Sequence, residues 1–340
     1  MKRKVFFAVA IIVSMATWAQ NIAVVSPSNS TDIYNTLDEA ITNADPSSTI
    51  YLPGGGFAIS DATTIDKKLT IMGVSHRGDT DNVDGATIIS GRLNFVSGSS
   101  GSAVVGVYVS GNIDVGTSDA AVTNFTLRYC NVNSIQVHNS GSVGLVINQC
   151  YLRNTSNLCN TNVKLENSIV HTLLDINGGT INHNIVTSNY KVTHSNQYSI
   201  WSTYHPLVNV SNSTITNNIF LSWNNGHTGD NCYISNNCIG TGTWGENPVV
   251  APEMPEGTNV WDEVFGEGNN KGVTIASDYH VKAAWAKGTA SDGTDIGIYG
   301  GSGFSEETSL APIPRIVSKS VEEQSDASGK LKVTVTVKSN

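Results

Sequence analysis

The sequence predicts an all-β fold, a parallel β-helix, from two observations. Six short segments share one frame, in which an apolar residue stands three positions before a small polar or thiol residue: Leu127/Cys130, Ile147/Cys150, Leu165/Ser168, Ile181/Asn184, Ile215/Asn218 and Ile234/Asn237. The apolar members follow one another at steps of 20, 18, 16, 34 and 19 residues. A short, drifting period of β-rich runs punctuated by Asn, Ser and Gly is typical of a solenoid, whose rungs bury their apolar side chains only against neighbouring rungs.

The frame also predicts where side chains point. We expect the six apolar residues to form one inward column. The asparagines of the last two repeats, Asn217, Asn218, Asn236 and Asn237, could form a polar ladder for a substrate. A structural role is favoured, because Asn tolerates left-handed turns and inward amides can satisfy one another down a solenoid.

Residues 1–20 have the three regions of a secretory signal peptide. Lys2, Arg3 and Lys4 precede an apolar run over residues 5–15, and small residues follow. The run is too short to span a bilayer, and no later run of about 18 apolar residues predicts a transmembrane segment. We therefore expect an exported protein that is secreted, periplasmic or associated with the cell surface.

The charge limits the partners. The formal net charge is −9, and removing the three cations of the signal, which contains no acid, makes it −12. Because phosphate binding needs a basic surface, nucleic acid and anionic lipid are disfavoured as partners.

The five cysteines show no metal-binding spacing. Cys130 and Cys150 occupy the inward repeat position, so buried stacked thiols are favoured. A disulfide between Cys130 and Cys150, or between Cys232 and Cys238, is the open alternative in an exported protein.

Thr36 and Glu39 form a capping-box pattern, so a short amphipathic helix is predicted to begin at about Leu37. Its apolar stripe, which includes Ala40 and Ile41, can plug an open solenoid end. Residues 49–52 and 69–73 read as strands, separated by a turn at residues 53–56.

Two stretches carry a family resemblance. Residues 36–41, 49–55 and 65–73 resemble the opening of pectate-lyase-like right-handed β-helix proteins. Residues 278–282 and 292–301 are similar to the last rung of secreted β-helix proteins, particularly from Bacteroidetes-type bacteria. The resemblance implies a right-handed, single-stranded β-helix domain over residues 21–310 with an N-terminal capping helix. It implies an architecture and no activity, because this fold hosts lyases, hydrolases, esterases and non-catalytic surface proteins.

Residues 311–340 differ in character from the repeats. Leu331, Val333, Val335 and Val337 alternate with polar residues, which predicts a half-buried strand. We interpret this region as a C-terminal β-hairpin appendage on the solenoid or its end.

The repeats contain few residues suited to catalysis. Residues 121–240 contain Glu166, Asp175 and Asp230 as their only acids, whereas hydrolases and lyases of this fold need clustered carboxylates. No polygalacturonase or pectin-esterase signature is present. The competing hypothesis is a polysaccharide lyase in which Lys191 or Arg153 abstracts a proton next to a uronate carboxylate.

Calcium has one candidate loop, which carries Asp79, Asp81 and Asp84. Its spacing departs from an EF-hand loop, with Val83 where the third ligand belongs, so an acidic turn is favoured. The histidines show no helical pair spacing, and no transition metal is expected.

Aromatic residues point to the most informative flank. Every tryptophan beyond the signal lies between positions 201 and 285, in or just beyond the region where the repeat step doubles to two short rungs or to one rung plus a loop. The candidate ligand-binding residues are Trp201, Tyr204, His205, Trp223 and His227. The leading hypothesis is non-catalytic binding of a glycan or macromolecular partner by this flank, residues 190–244. The alternatives are that the aromatic residues cover the solenoid or pack its end, and that the protein is purely structural.

Overall fold

Three long sheets form the body of the protein in its computed structural model. The described residues are 21–76, 85–188, 190–195, 200–221, 231–240, 244–251, 260–266, 277–304, 315–321, 324, 329–330 and 332–338. They contain two short helices, α1 (Leu37–Asn43) and α2 (Val260–Phe265). The fold is thus all-β in character, as predicted.

The strands of each sheet are given in spatial order. The first sheet consists of Thr31–Tyr34, Ile22–Val25, Thr49–Tyr51, Thr70–Met72, Ala103–Val105, Thr126–Arg128, Leu145–Asn148, Val163–Glu166, Thr180–Asn182, Thr214–Thr216 and Tyr233–Ser235. The second consists of Gly55–Ala58, Thr87–Ser90, Tyr108–Val109, Asn131–Val132, Tyr151–Leu152, Ile169–Val170, Ile185–Val186, Ile219–Phe220, Cys238–Ile239 and Val249–Val250. The third consists of Leu93–Phe95, Ile113–Val115, Ile135–Val137, Ser156–Thr161, Leu173–Asn177 and Leu207–Ser211.

The chain visits the three sheets in rotation. Each central strand pairs in parallel with the strands one circuit earlier and one circuit later; Leu127, for example, pairs with Val104 and Ile147. Only the strand Ile22–Val25 pairs antiparallel within the three sheets as described. This connectivity is consistent with a parallel β-helix, and one circuit is called a rung below.

The predicted inward column is confirmed. Consecutive members are register partners across the first sheet, and all six are buried: Leu127, Ile147, Leu165, Ile181, Ile215 and Ile234. The column continues toward the N-terminus through Val104, Ile71 and Ile50. These residues belong to the apolar core inside the coil.

The second member of each repeat also points inward, and its polar atoms are paired across rungs. The Nδ2 group of Asn218 donates to the carbonyl of Ile181 (2.9 Å) and to Oδ1 of Asn237 (2.9 Å), while its own Oδ1 accepts from Nδ2 and the backbone N–H of Asn184. The structural interpretation of Asn218 and Asn237 is thereby confirmed.

The residue before each inward polar group adopts a left-handed conformation. The φ angles lie between 48° and 60° at Tyr129, Gln149, Asn167, His183, Asn217 and Asn236. This conformation costs little at Asn, which explains the Asn-Asn pairs of the last two repeats. The left-handed residue makes the sharp turn between the first and second sheets.

Residues 260–266 and 277–304 form a second apolar core, outside the coil. We call these residues the C-terminal cover. Trp261 and Phe265 of α2, with Tyr279, pack with Ile185 and Ile219, residues of the second sheet. The stretch that resembles a last rung therefore adds no strand among the described residues but lies along the side of the rungs.

Hydrogen bonds fasten this cover to the left-handed turns. The backbone N–H of Ser291 donates to Oδ1 of Asn217 (2.8 Å), and Nδ2 of Asn167 donates to the carbonyls of Ile298 (2.9 Å) and Gly300 (2.8 Å). His183 lies against Gly300, where an added Cβ would come within 2.3 Å of its Nδ1 atom. Glycine is required at this position for that close approach.

The helix α1 begins as predicted. The Thr36 hydroxyl accepts a hydrogen bond from the backbone N–H of Glu39 (3.2 Å), and Leu37, Ala40 and Ile41 are buried. The helix packs against the two antiparallel strands at the N-terminal edge of the first sheet.

Near the C-terminus, the strands Arg315–Val321 and Val333–Lys338 pair antiparallel. No helix within the described part of the chain is long and apolar enough to cross a membrane.

Candidate functional site

The doubled repeat step contains one rung and an inserted hairpin. Thr180 pairs directly with Thr214 and Ile185 with Ile219, so no second rung lies between them. The extra residues form two antiparallel strands, Tyr190–Ser195 and Ile200–His205, which we call the aromatic hairpin. The insertion lies where the chain passes from the second sheet to the third.

The aromatic hairpin contains three of the predicted ligand-binding residues. In its register Trp201 is opposite His194, Tyr204 opposite Lys191, and His205 opposite Tyr190. His205, at the base of the hairpin, is buried, so its imidazole is withdrawn from a binding surface. The other two predicted residues, Trp223 and His227, lie outside the described residues.

A row of amides runs along the same corner of the coil in earlier rungs. The Nδ2 group of Asn133 donates to Oδ1 of Asn112 (2.7 Å), and that of Asn154 donates to Oδ1 of Asn133. Arg92 continues the row, because Arg92 and Asn112 directly precede the paired residues Leu93 and Ile113. We call Arg92, Asn112, Asn133 and Asn154 the polar corner.

A charged cluster that the repeat pattern does not predict lies beside this row. Asp114 is buried in the third sheet, yet its Oδ1 atom lies 2.8 Å from Nε2 of His138 and its Oδ2 atom 3.2 Å from Nε of Arg92. We call these three residues the Asp114 cluster. Asp114 lies before residues 121–240, where the acids are sparse. The sequence signal for it is an acid in the middle of an apolar strand, Ile113–Val115.

The two described acids of residues 121–240 are engaged in separate contacts. Glu166 pairs with Lys164 (2.9 Å), and Asp175 accepts from Nδ2 of Asn209 (2.8 Å). Asp230 lies outside the described residues.

Arg153, one of the two candidate lyase bases, is occupied by contacts with the solenoid. Its guanidinium donates to the hydroxyl of Tyr108 (2.9 Å) and the carbonyl of Val109 (2.8 Å), and it lies over the Tyr108 ring, 4.7 Å from its centroid. These contacts hold the guanidinium against the solenoid, so its N–H groups are engaged in structural contacts.

Three tryptophans of the C-terminal half have structural positions. Trp244 packs on Phe220 with 5.0 Å between ring centroids, and Trp261 packs on Phe265 at the same distance. Trp285 is partly buried against the second core. The packing interpretation therefore holds for these three tryptophans, which leaves Trp201 and Trp223 as the tryptophan candidates for binding.

The five cysteines are free thiols, and Cys130, Cys150 and Cys238 are buried. Burial, together with the neighbouring Cys150 thiol, holds the pKa of Cys130 well above its usual value. Burial alone raises the pKa of Cys238 to about 12. The thiolate is the reactive form of cysteine, and a raised pKa keeps the thiol protonated at neutral pH. Cys130 and Cys238 are therefore structural.

Among the described side chains, no group of three His, Cys, Asp or Glu residues is arranged to hold a metal ion. The candidate calcium ligands Asp79, Asp81 and Asp84 lie outside the described residues.

His171 occupies the position of Asn154 in the next rung, at the same corner of the coil. Burial lowers its pKa.

Comparison with protein-family models, with curated proteins and with solved structures finds no match to this chain. The site must therefore be interpreted from its own residues.

Proposed function

We propose that the protein is an exported, right-handed β-helix protein of the pectate-lyase-like kind that binds a glycan without turning it over. Helix α1 covers the N-terminal end of the coil in this proposal. The binding surface is the polar corner together with the aromatic hairpin. Chain export rests on the signal-like residues 1–20.

One observation supports this function above the others: the polar corner and the aromatic hairpin occupy the same corner of the coil. Successive rungs are about 4.8 Å apart, so the row presents amide groups at a spacing close to the length of one sugar unit. Each Asn in the row uses part of its hydrogen-bonding capacity on its neighbour. The rest is available to hydroxyl groups, and an aromatic ring can add stacking against the C–H face of a sugar.

The test is retention of the exported protein on an array of plant, algal and bacterial polysaccharides, followed by calorimetry with the glycans that retain it. Trp201→Ala and Tyr204→Ala should each weaken binding by about 1–3 kcal/mol while leaving the thermal midpoint nearly unchanged.

Tyr233→Ala is the matched control, because Tyr233 is an exposed tyrosine on the first sheet, away from the corner. It should leave affinity unchanged. Lost stability with unchanged glycan binding in the Trp201 and Tyr204 variants would instead assign both residues to packing. If the array retained no glycan, a macromolecular partner would replace the glycan as the candidate ligand.

A polysaccharide lyase acting on uronate polymers is the alternative function. The observation that favours it is the pairing of Lys191 with Tyr204 in the hairpin, which brings a candidate base and a phenol to neighbouring strands. Pectate and alginate should be incubated with the protein at mildly alkaline pH. An unsaturated product that disappears in Lys191→Ala would establish the lyase in place of the binding protein.

A further inference from the structure

The Asp114 cluster contains a buried carboxylate that holds two nitrogen-bearing side chains at the surface. The Asp114 side chain is 6% exposed, whereas those of Arg92 and His138 are 55% and 47% exposed. A carboxylate in such a position needs charged or hydrogen-bonding partners, because burying an unpaired charge is costly. The hydrogen bond with His138 and the ion pair with Arg92 therefore favour one orientation of each exposed side chain.

Asp114 contacts Nε of Arg92 and Nε2 of His138, so the Nη groups of Arg92 and the Nδ1 atom of His138 remain for a ligand. Arg92 approaches the carboxylate through Nε as an ion pair at 3.2 Å, although Oδ2 of Asp114 accepts no hydrogen bond within the described part of the chain. The two Nη groups of Arg92 carry four further N–H donors. His138 uses Nε2, so its Nδ1 atom faces away from the carboxylate and has no partner among the described side chains. The remaining guanidinium edge matches the planar, two-oxygen geometry of an anion.

We propose that Arg92 and His138, held by Asp114, form an anion subsite at one end of the polar corner, which binds a carboxylate or sulfate group on the glycan. The subsite deepens the proposed function and rests on it, because the neighbouring Asn112 belongs to the amide row. The Arg92 guanidinium pairs with the anion, and Nδ1 of His138 accepts from an adjacent sugar hydroxyl. Holding the guanidinium in place in advance reduces the entropy lost on binding.

A cationic subsite at Arg92 contrasts with the protein as a whole, which is acidic, with a formal net charge of −9. Long-range electrostatic repulsion disfavours the approach of an acidic glycan to such a surface. Recognition of an anionic sugar must therefore come from a local, directional contact, and the guanidinium edge of Arg92 supplies one.

The experiment is a titration of the isotope-labelled full chain, observed by NMR at the Arg92 Nε–H and the His138 ring. The probes are glucuronic acid, glucose 6-sulfate and, as the neutral reference, glucose. Both acidic sugars should shift these two signals in a saturable way, and glucose should not. The acidic sugar that binds more tightly shows whether the subsite prefers a carboxylate or a sulfate group.

Variants separate binding from folding. Arg92→Gln should weaken acidic-sugar binding about tenfold or more, on the scale of a charge-assisted hydrogen bond, and Arg92→Lys should restore only part of it. Arg128→Gln is the control, because Arg128 is an exposed arginine on the first sheet. Calorimetric melting of each variant reports whether the fold is retained.

Absence of saturable shifts with both acidic sugars, or equal shifts with glucose, would overturn the subsite. This result would not touch the proposed function, which the polysaccharide array tests separately. Equally, an array without any retained glycan would refute polysaccharide binding by the protein even where the acidic monosaccharides bind at Arg92.

Discussion

Asn218 illustrates how one residue joins three rungs. Its amide nitrogen contacts the preceding rung at Ile181 and the following rung at Asn237, and its oxygen accepts twice from Asn184. A thiol makes a weaker form of the same contact in earlier rungs: Sγ of Cys150 donates to the carbonyl of Leu127 (3.5 Å). Cysteine and asparagine are therefore equivalent at this position because both can donate backward into the coil.

Replacing Asn218 by Ala should destabilise the coil strongly. The change leaves the partners on both neighbouring rungs unpaired in a dry interior, at about 1–3 kcal/mol for each group. Urea unfolding of the variant should show a lower midpoint with an unchanged slope. Asn177→Ala, which removes one exposed contact to Asn212, is the control and should change the midpoint little; similar midpoints for the two variants would contradict the ladder.

Ile147 tests the apolar column in the same way. Ile147→Asp places an unpaired charge in the core, at a cost of several kcal/mol, and should abolish soluble expression. Val146→Asp is the matched control, since Val146 is only partly buried in the same strand. Comparable soluble yields for the two variants would show that the column is misassigned.

At the scale of elements, insertions occur where the rung can tolerate them. The aromatic hairpin interrupts a rung between its second and third strands, while the strands on either side keep their register. A loop at a corner leaves the stacked ladders intact, which is why a doubled step can coexist with a regular coil.

The C-terminal cover contains a local set of charged and hydrogen-bonded groups around Asp278. Asp278 accepts from the backbone N–H of His280 (3.0 Å) and lies 2.9 Å from Nζ of Lys282. The hydrogen bond from His280, followed by the Lys282 ammonium, lowers the pKa of Asp278 to about 2.

This lowered pKa predicts acid sensitivity. A carboxyl whose pKa is depressed in the folded state contributes stability above its ordinary pKa, and this contribution is lost as the pH falls through the folded value. The thermal midpoint of Asp278→Asn should therefore lie slightly below that of the parent at pH 5, and the two should converge between about pH 4 and pH 2. Because the side chain is 44% exposed, the difference is small, and a difference independent of pH would argue against an electrostatic role.

At the scale of the whole molecule, two apolar cores share the second sheet. Ile239 packs inside the coil, whereas the adjacent Cys238 faces the C-terminal cover. The cover thus shields an outer sheet face that would otherwise be an exposed apolar surface.

Thiol labelling can test whether the two cores unfold independently. Trp261→Ala removes a buried ring that packs on Phe265 and Tyr279, and such truncations cost about 3–5 kcal/mol. The cover should open and Cys238 should react with a maleimide at neutral pH, as measured by peptide mass spectrometry. Cys130 and Cys150, inside the coil, serve as internal controls and should stay unlabelled; simultaneous labelling of all three would mean that cover and coil unfold together.

The sequence by itself determined the repeating elements. The inward column, the polar ladder and the start of α1 depend on contacts between residues at equivalent positions or within one helical turn, so their pattern is visible along the chain. The alternation over residues 331–337 predicts a half-buried strand, and Val333–Lys338 forms a strand, but Val333 is exposed and the pairing with Arg315–Val321 is known only from the structure.

Only the tertiary structure decided which surfaces come together. The Asp114 cluster joins residues from three successive rungs, and the cover joins residue 167 to residue 300, separations that no local pattern records. The same holds for Trp244 and Trp261, whose burial depends on partners brought near by the coil. Chain periodicity specifies what repeats, whereas a binding surface is built from what differs between rungs, and its geometry exists only once the rungs are stacked.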